Sequence, residues 1–169
     1  MSSHAARPSI HDLNAIAHAV ARATDRQAAF ESLISELSRA LDTRACILQR
    51  VDRGWMLVAQ TRGGLAVTIS DLQLAVSSIS PAEPTAPVNL HSIGEGVWTS
   101  MQVEDPDGPL TILLAGDWTL LERVALNPLA VLLSFALRLV HEREMRQASE
   151  RWLIDGFPMA RRLSRLGGL

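Results

Sequence analysis

One stretch constrains the fold more than any other. Thr119 to about Leu153 is the longest continuous helical pattern in the chain. It opens on Thr119-Leu120-Leu121-Glu122, a capping box in which the threonine hydroxyl accepts from the Glu122 N–H and the glutamate reaches back to the Thr119 N–H. Val124 to Val140 is then almost wholly apolar, and His141 to Arg151 is charged. Such a helix is expected to be buried in its first half and to project into water or against a partner in its second. The apolar window is seventeen residues long and contains Asn127, Pro128, Ser134 and Arg138. It falls short of the ~20 residues that cross a bilayer and reads as a core helix. Asn127-Pro128 predicts a kink or a restart, because proline lacks one backbone donor and clashes with the preceding turn. Asp155-Gly156-Phe157-Pro158 predicts the end, leaving a short basic amphipathic turn, Met159–Leu166, before Gly167-Gly168.

Ahead of that helix lie two further helices and a series of short strands. Ser9 predicts an N-cap, and Ile10, Leu13, Ile16, Ala17 and Val20 form a narrow stripe that suits helix pairing better than deep burial. Thr24-Asp25-Arg26-Gln27 is a second capping box, and Phe30, Leu33, Ile34, Leu37 and Leu41 line one face of the helix it opens, which stops at Asp42-Thr43. Ala45–Val51 and Trp55–Thr61 read as strands joined at Asp52-Arg53-Gly54, with Gly63-Gly64 closing the hairpin. Leu65–Ser80 is ambiguous: Ala66–Ile69 reads as a short strand, and Ser70-Asp71 as the cap of a short helix through Leu72, Ala75, Val76 and Ile79. Pro81, Pro84 and Pro87 impose an irregular loop. Val88–Leu90 is a brief extended piece, His91–Gly96 a turn and Gly96–Glu104 a strand. Asp105-Pro106-Asp107-Gly108-Pro109 is a strong turn signal, and Leu110–Ala115, apolar throughout, is a central strand. Two hairpins around an irregular middle, with helices at both ends, imply an α+β fold: an antiparallel sheet with the terminal helices packed on one face.

Composition excludes several chemistries. All sixteen Lys/Arg positions are arginine, the usage of a GC-rich genome, and there is no tyrosine; a bacterial source is expected. Without lysine there is no Schiff base and no Walker lysine. A net charge of −2 gives no global attraction for nucleic acid. Cys46 is the only cysteine and residues 1–9 hold no apolar signal segment, so a reducing, cytoplasmic compartment is expected.

Few residues point to a site. Cys46, in a strand, reads as a small core residue, with Arg44 the one nearby cation. His4, His11 and His18 recur every seven residues, but two helical turns separate the latter pair by roughly 10 Å, too far to chelate one ion. No metal is expected. Arg22-Ala23-Thr24-Asp25 matches the Arg-x-x-Asp of cyclic dinucleotide sites, a match expected about once by chance among sixteen arginines and nine aspartates. Gly63-Gly64 and Gly94-Glu95-Gly96 lack phosphate-loop spacing and read as turns. No Ser-His-Asp set occurs, and Glu104, Asp105 and Asp107 read as a solvated turn, so no catalytic residue and no cofactor are expected. Gln49, Gln60, Trp98, Ser100, Gln102 and Thr111 are polar or amphipathic residues on strands that also carry core residues. On one sheet face, with His91 at the rim, they would make a small-ligand site. His141 is expected on the solvent side of the last helix, and Glu142 to Arg151 as a solvated face. Phe135, Leu139, Met145 and Trp152 nonetheless leave apolar residues where a lone domain would end. With Leu13 and Val20 of the first helix they are the expected dimer or partner contacts. Arg161, Arg162 and Arg165 add a basic tail.

The layout resembles a GAF domain. A helix ending Leu37-Ser38-Arg39-Ala40-Leu41 leads into Ala45-Cys46-Ile47-Leu48, a turn, Leu57-Val58-Ala59 and a glycine pair. Later come Gly108-Pro109-Leu110-Thr111-Ile112-Leu113-Leu114, Trp118-Thr119 in place of the aromatic and small-polar pair that opens the last helix, and an Ala/Leu-rich closing helix from Ala125 to Arg143. The resemblance covers roughly Thr24 to Arg146, so residues 24–146 are taken as the domain, 1–23 as an N-terminal arm and helix, and 147–169 as a helix extension and basic tail. It implies a sheet of about five to six strands, terminal helices on one face, and on the other a pocket for nucleotides, tetrapyrroles or small metabolites under the middle loops. No cysteine lies between Gly63 and Gly96 to link a bilin, and one cysteine is too few for the sulfoxide-reducing members. The expected function is a non-enzymatic sensory or regulatory domain that dimerises through its terminal helices, with a small ligand over the sheet. The alternative is a ligand-free structural module that docks a larger complex, one at a membrane included.

Overall fold

A five-stranded antiparallel sheet, in which Gly54–Gln60, Ala45–Val51, Leu110–Ala115, Gly96–Val103 and Val88–Ile93 lie side by side in that order, separates two apolar layers. The computed structural model describes residues 10–166 except 53, 64, 66, 78–87, 94–95 and 117; the side chains of 10–11, 88–91 and 153–166 are outside that description. The elements are α1 (Ile10–Ala21), α2 (Arg26–Leu41), β1 (Ala45–Val51), β2 (Gly54–Gln60), α3 (Ile69–Ser77), β3 (Val88–Ile93), β4 (Gly96–Val103), β5 (Leu110–Ala115) and α4 (Leu120–Leu166). The α+β class, the antiparallel sheet and the helices α1, α2 and α4 on one face are as the sequence implied. The Ser9 cap and the three loop prolines lie outside the described residues.

The helix starts follow local chemistry, with two corrections. α4 opens on the expected capping box: the Thr119 N–H donates to Glu122 Oε2 at 2.8 Å and the Glu122 N–H to Thr119 Oγ1 at 3.4 Å. α2 is capped by Asp25, not Thr24. Its carboxylate accepts from the Ala28 N–H at 2.8 Å, and the Thr24 hydroxyl donates to it at 3.1 Å. A carboxylate wins this position because the bond is charge-assisted and faces the positive end of the helix dipole. The same bonds, that of Ala28 foremost, hold the Asp25 carboxyl below its usual range. α2 ends at Asp42, which takes the left-handed conformation. α3 is capped by Thr68, two residues ahead of the expected Ser70: the Asp71 N–H donates to Thr68 Oγ1, whose hydroxyl donates to Asp71. The expected short helix forms and takes in Ile69, which was read as the end of a strand.

Two other expectations are overturned by backbone pairing. β3 runs on to Ile93 where a turn from His91 was expected, because its whole length pairs with β4, from Val88↔Met101 to Ile93↔Gly96. α4 is one unbroken helix of 47 residues, about 70 Å long, passing through Pro128 and through Gly156 and Pro158. Pro128 is exposed, so the Val124 carbonyl that loses its partner can be hydrated, and the missing bond does not end the helix. By length and composition Leu120–Trp152 is apolar enough to cross a membrane, which the Val124–Val140 window alone did not suggest. In the fold one face of that segment, including Leu126, Leu129, Leu133, Leu137 and Val140, is buried against the sheet and its neighbouring helices.

α1 is part of the main core, not an appended arm. Leu13, Ile16 and Val20 are buried with α2 and α4. Leu13 and Val20 are thus spent on packing within the chain, and the narrow stripe that suggested a partner finds it in α4. On the other sheet face a smaller core joins Cys46, Leu48, Trp98, Ile93 and Leu113 to Leu72 and Val76 of α3.

The β4–β5 turn lies tightly on β1. The Arg50 N–H donates to Pro109 O at 3.0 Å, and Gly108 has φ +126, with any Cβ it carried only 2.9 Å from Arg50 O. Gly108→Ala is expected to cost about 2 kcal/mol. A urea midpoint equal to that of the parent chain would show the turn to be looser than this.

Candidate functional site

The face under α3 is where the polar strand residues meet. Register places Gln102 opposite Thr111, Ser100 opposite Leu113 and Trp98 opposite Ala115, so Trp98, Ser100, Gln102 and Thr111 share a face. The Thr111 hydroxyl donates to Gln102 Oε1 at 3.1 Å. Ser100 and Thr111 are buried, and Trp98 is packed among Ile93, Leu72 and Val76. His91 is the register partner of Trp98, at the edge strand; its side chain is outside the described residues.

The other two candidates lie apart from this row. Gln49 pairs in register with Leu110, on the helix side of the sheet, and its Nε2 donates to Asp107 O at 3.2 Å. It ties β1 to the β4–β5 turn. Gln60 is exposed at the end of β2, opposite Cys46. The row on β4 and β5 thus offers hydroxyl and amide groups set in an apolar surround, with no carboxylate or guanidinium among its described members. The Thr111 hydroxyl is already bonded to Gln102, and among the described residues the row holds no nucleophile with a base beside it. α3 is fastened over this face by Gln73, whose Nε2 donates to Trp55 O at 2.6 Å.

Cys46 lies beneath the same face. Burial pushes its thiol up to about 12, so it is neutral and inert at neutral pH. The folded chain is expected to react with a disulfide-exchange reagent only at its rate of unfolding. Prompt stoichiometric labelling of the native protein would contradict the burial.

A second polar cluster was not legible in the sequence. Asp105 and Asp107, expected as a solvated turn, both bind the Arg26 guanidinium, and the Asp105 side chain is only 2% exposed. Burial pushes the Asp105 carboxyl up despite the opposing pull of Arg26 and, more weakly, His141. Arg26 also lies 5.3 Å from the centre of the Phe30 ring. His141, expected on the solvent side, is half-buried, with Nδ1 3.8 Å from Asp107 Oδ2. Arg143 and Glu144, expected on a solvated face, bind the α1–α2 connection. Arg143 donates to Ala23 O at 2.8 Å and Ala21 O at 3.1 Å, and Glu144 accepts from the Arg26 N–H at 2.9 Å. The Arg22-Ala23-Thr24-Asp25 motif is this connection: its aspartate caps α2 and its alanine carbonyl is held by Arg143. His141 to Glu144 is therefore the clamp at which α4 leaves the body, and residues 145–152 are exposed.

α4 is apolar on two opposite faces. One is in the core; the other presents Leu121, Val124, Val131, Phe135, Leu139, Met145 and Trp152 to solvent, with Phe135 60% and Trp152 73% exposed. No group of three metal-ligating side chains occurs among the described residues.

No family model matches the sequence, and no curated protein matches it. Solved structures do. The GAF domain of an Acinetobacter phosphoenolpyruvate-protein phosphotransferase superposes with a TM-score of 0.54 at 11% identity, over 79% of this chain and 94% of that one. A bacteriophytochrome from the photosynthetic bacterium R. palustris superposes with a TM-score of 0.62 at 12% identity, over 95% of this chain. This chain spans 43% of the bacteriophytochrome's length. At these identities the likeness is one of architecture: the chain has a GAF-like fold.

Proposed function

We propose that this chain is a non-enzymatic regulatory module of GAF type, acting in the cytoplasm, that self-associates through the outer face of α4. The observation that carries this reading is the second apolar face of that helix. An apolar stripe from Leu121 to Trp152, interrupted by Arg138 and Glu142, is left in water by the fold, and exposed stripes of this kind mark protein contacts. The helix also runs past the clamp at His141–Glu144, well beyond what the core requires. The polar row of Ser100, Gln102 and Thr111 is the place for a small ligand. A ligand there would regulate assembly only by favouring one arrangement of α4 over another. A second reading, a ligand-free structural module, draws on Leu72 and Val76, which pack on that face against Trp98, Ile93 and Leu113.

Light scattering on the full chain tests the assembly. A dimeric mass at tens of micromolar is expected, falling to the monomer in Val131→Glu/Phe135→Glu. A monomeric parent chain at that concentration would sink the reading. Mass spectrometry of the purified protein under native conditions separates the regulatory reading from the structural one: a retained small molecule supports the former.

A further inference from the structure

The outer face of α4 has a regular seam. Pro128, Val131, Phe135, Arg138, Glu142, Met145, Ser149 and Trp152 alternate at spacings of three and four, and all are exposed. That spacing brings about one residue of each turn onto a single helical seam. Two of the eight are charged, adjacent in the seam and of opposite sign. Neither Arg138 nor Glu142 is ion-paired among the described residues. Val140, between them, points the opposite way into the core.

These two charges select among the ways two copies can fit. Parallel and in register, Arg138 meets Arg138 and Glu142 meets Glu142, like against like, which costs association energy. Antiparallel, seam positions pair in one of a few registers a heptad apart. One heptad off in either direction, Arg138 faces Phe135 or Ser149 and Glu142 faces Val131 or Met145, leaving both charges unmatched. The register between them gives each of these eight positions a partner among the eight and sets both charges against their opposites. Resting on the reading that α4 mediates self-association, we propose that two copies pair α4 antiparallel about a two-fold axis beside residue 140, Arg138 of each facing Glu142 of the other. Phe135 then faces Met145 of the second copy, Val131 faces Ser149, and Pro128 faces Trp152. Each contact occurs twice, as an isologous interface requires. The overlap from residue 128 to 152 is about 37 Å long. The exposed end of each helix is thereby laid on the exposed face of the other, which accounts for the apolar residues both before and after the clamp.

Disulfide mapping on the full chain decides this, because the one native thiol, Cys46, is buried. Phe135→Cys and Met145→Cys, each made with a tag of different size, are mixed and mildly oxidised. The mixed disulfide is expected, with neither variant linking to itself. A Phe135→Cys disulfide with its own copy would overturn the antiparallel pairing in favour of a parallel one. A dimeric mass without the mixed disulfide would overturn this register and leave self-association standing. A monomeric mass would remove both. Charge exchange gives an independent readout: Glu142→Arg is expected to weaken dimerisation about tenfold, and Arg138→Glu/Glu142→Arg to restore it. In a parallel pair the double exchange would still set like charges against each other, so an unrestored dimer argues against the proposal.

Discussion

Arg26→Ala is expected to destabilise the fold by about 3 kcal/mol, measured by urea unfolding at neutral pH. The cause is not the loss of a favourable pair alone. The Asp105 side chain is 2% exposed and its charge is met chiefly by Arg26; without that guanidinium only the weaker pull of His141 is left to the carboxylate, close to the situation that makes broken buried pairs costly. Arg26→Ala/Asp105→Asn is expected to recover about half the loss. The amide removes the charge and keeps an acceptor for the Asp107 N–H, which donates to Asp105 at 3.2 Å. No recovery in the double variant would show that the cost comes from packing of Arg26 on Phe30.

The pH dependence of that variant has a definite sign. Burial holds the folded-state value of Asp105 above the unfolded one of about 4. The folded state then binds the proton more tightly. The associated cost is present above the folded value and is relieved as pH falls through it. Removing Arg26 raises that value further, so the deficit of Arg26→Ala should shrink on acidification towards pH ~4. Asp25 acts oppositely. Its carboxyl is held low by the Ala28 N–H, so its stabilisation is present above the unfolded value and is lost as pH falls through the lower folded one. A deficit that grows towards acid would contradict the assignment to Asp105.

Leu133→Ala is expected to cost about 3 kcal/mol, whereas Phe135→Ala, two residues along the same helix, should change the stability of the monomer by less than ~0.5 kcal/mol. Leu133 is fully buried and Phe135 is 60% exposed. The difference is one of direction around the helix axis. Truncating Leu133 leaves a cavity beneath the sheet, while Phe135 has no core to vacate. The effect of Phe135→Ala should appear in the concentration dependence of unfolding, where a partner's contribution enters through mass action. Equal losses in both variants at high dilution would mean that the outer face is buried within the single chain.

The legible features were those set within four residues of sequence. The capping box at Thr119–Glu122, the apolar face of α2 and its stop at Asp42, and the strands of the two hairpins depend on neighbours along the chain. They came out nearly as read. The misreadings have identifiable causes. Thr24 and Asp25 are both good caps one residue apart, and the stronger acceptor took the position. The prolines at 128 and 158 signalled breaks because the sequence does not say whether the orphaned carbonyl will have water. Gln49 was grouped with Thr111, yet Leu48 is the residue opposite Thr111 and Gln49 lies opposite Leu110. A shift of one residue in pairing moves a side chain to the other face of a sheet, and pairing is a long-range property.

By itself, then, the chain determined the kind of each main element and the α+β layout, because periodicity and end-capping are short-range effects of backbone geometry. The tertiary structure alone decided which apolar stripe became core. The stripe of α1 and the outer stripe of α4 look equivalent in sequence, but α1 fits between α2 and α4, and its burial leaves only the far side of α4 uncovered. It also decided which charges are structural. Arg26 and Asp105 are 79 residues apart, and nothing in their local sequence distinguishes them from solvated surface. They meet because the β4–β5 turn, pressed onto β1 by Gly108, is carried to the start of α2. That packing fixes the point where α4 leaves the domain.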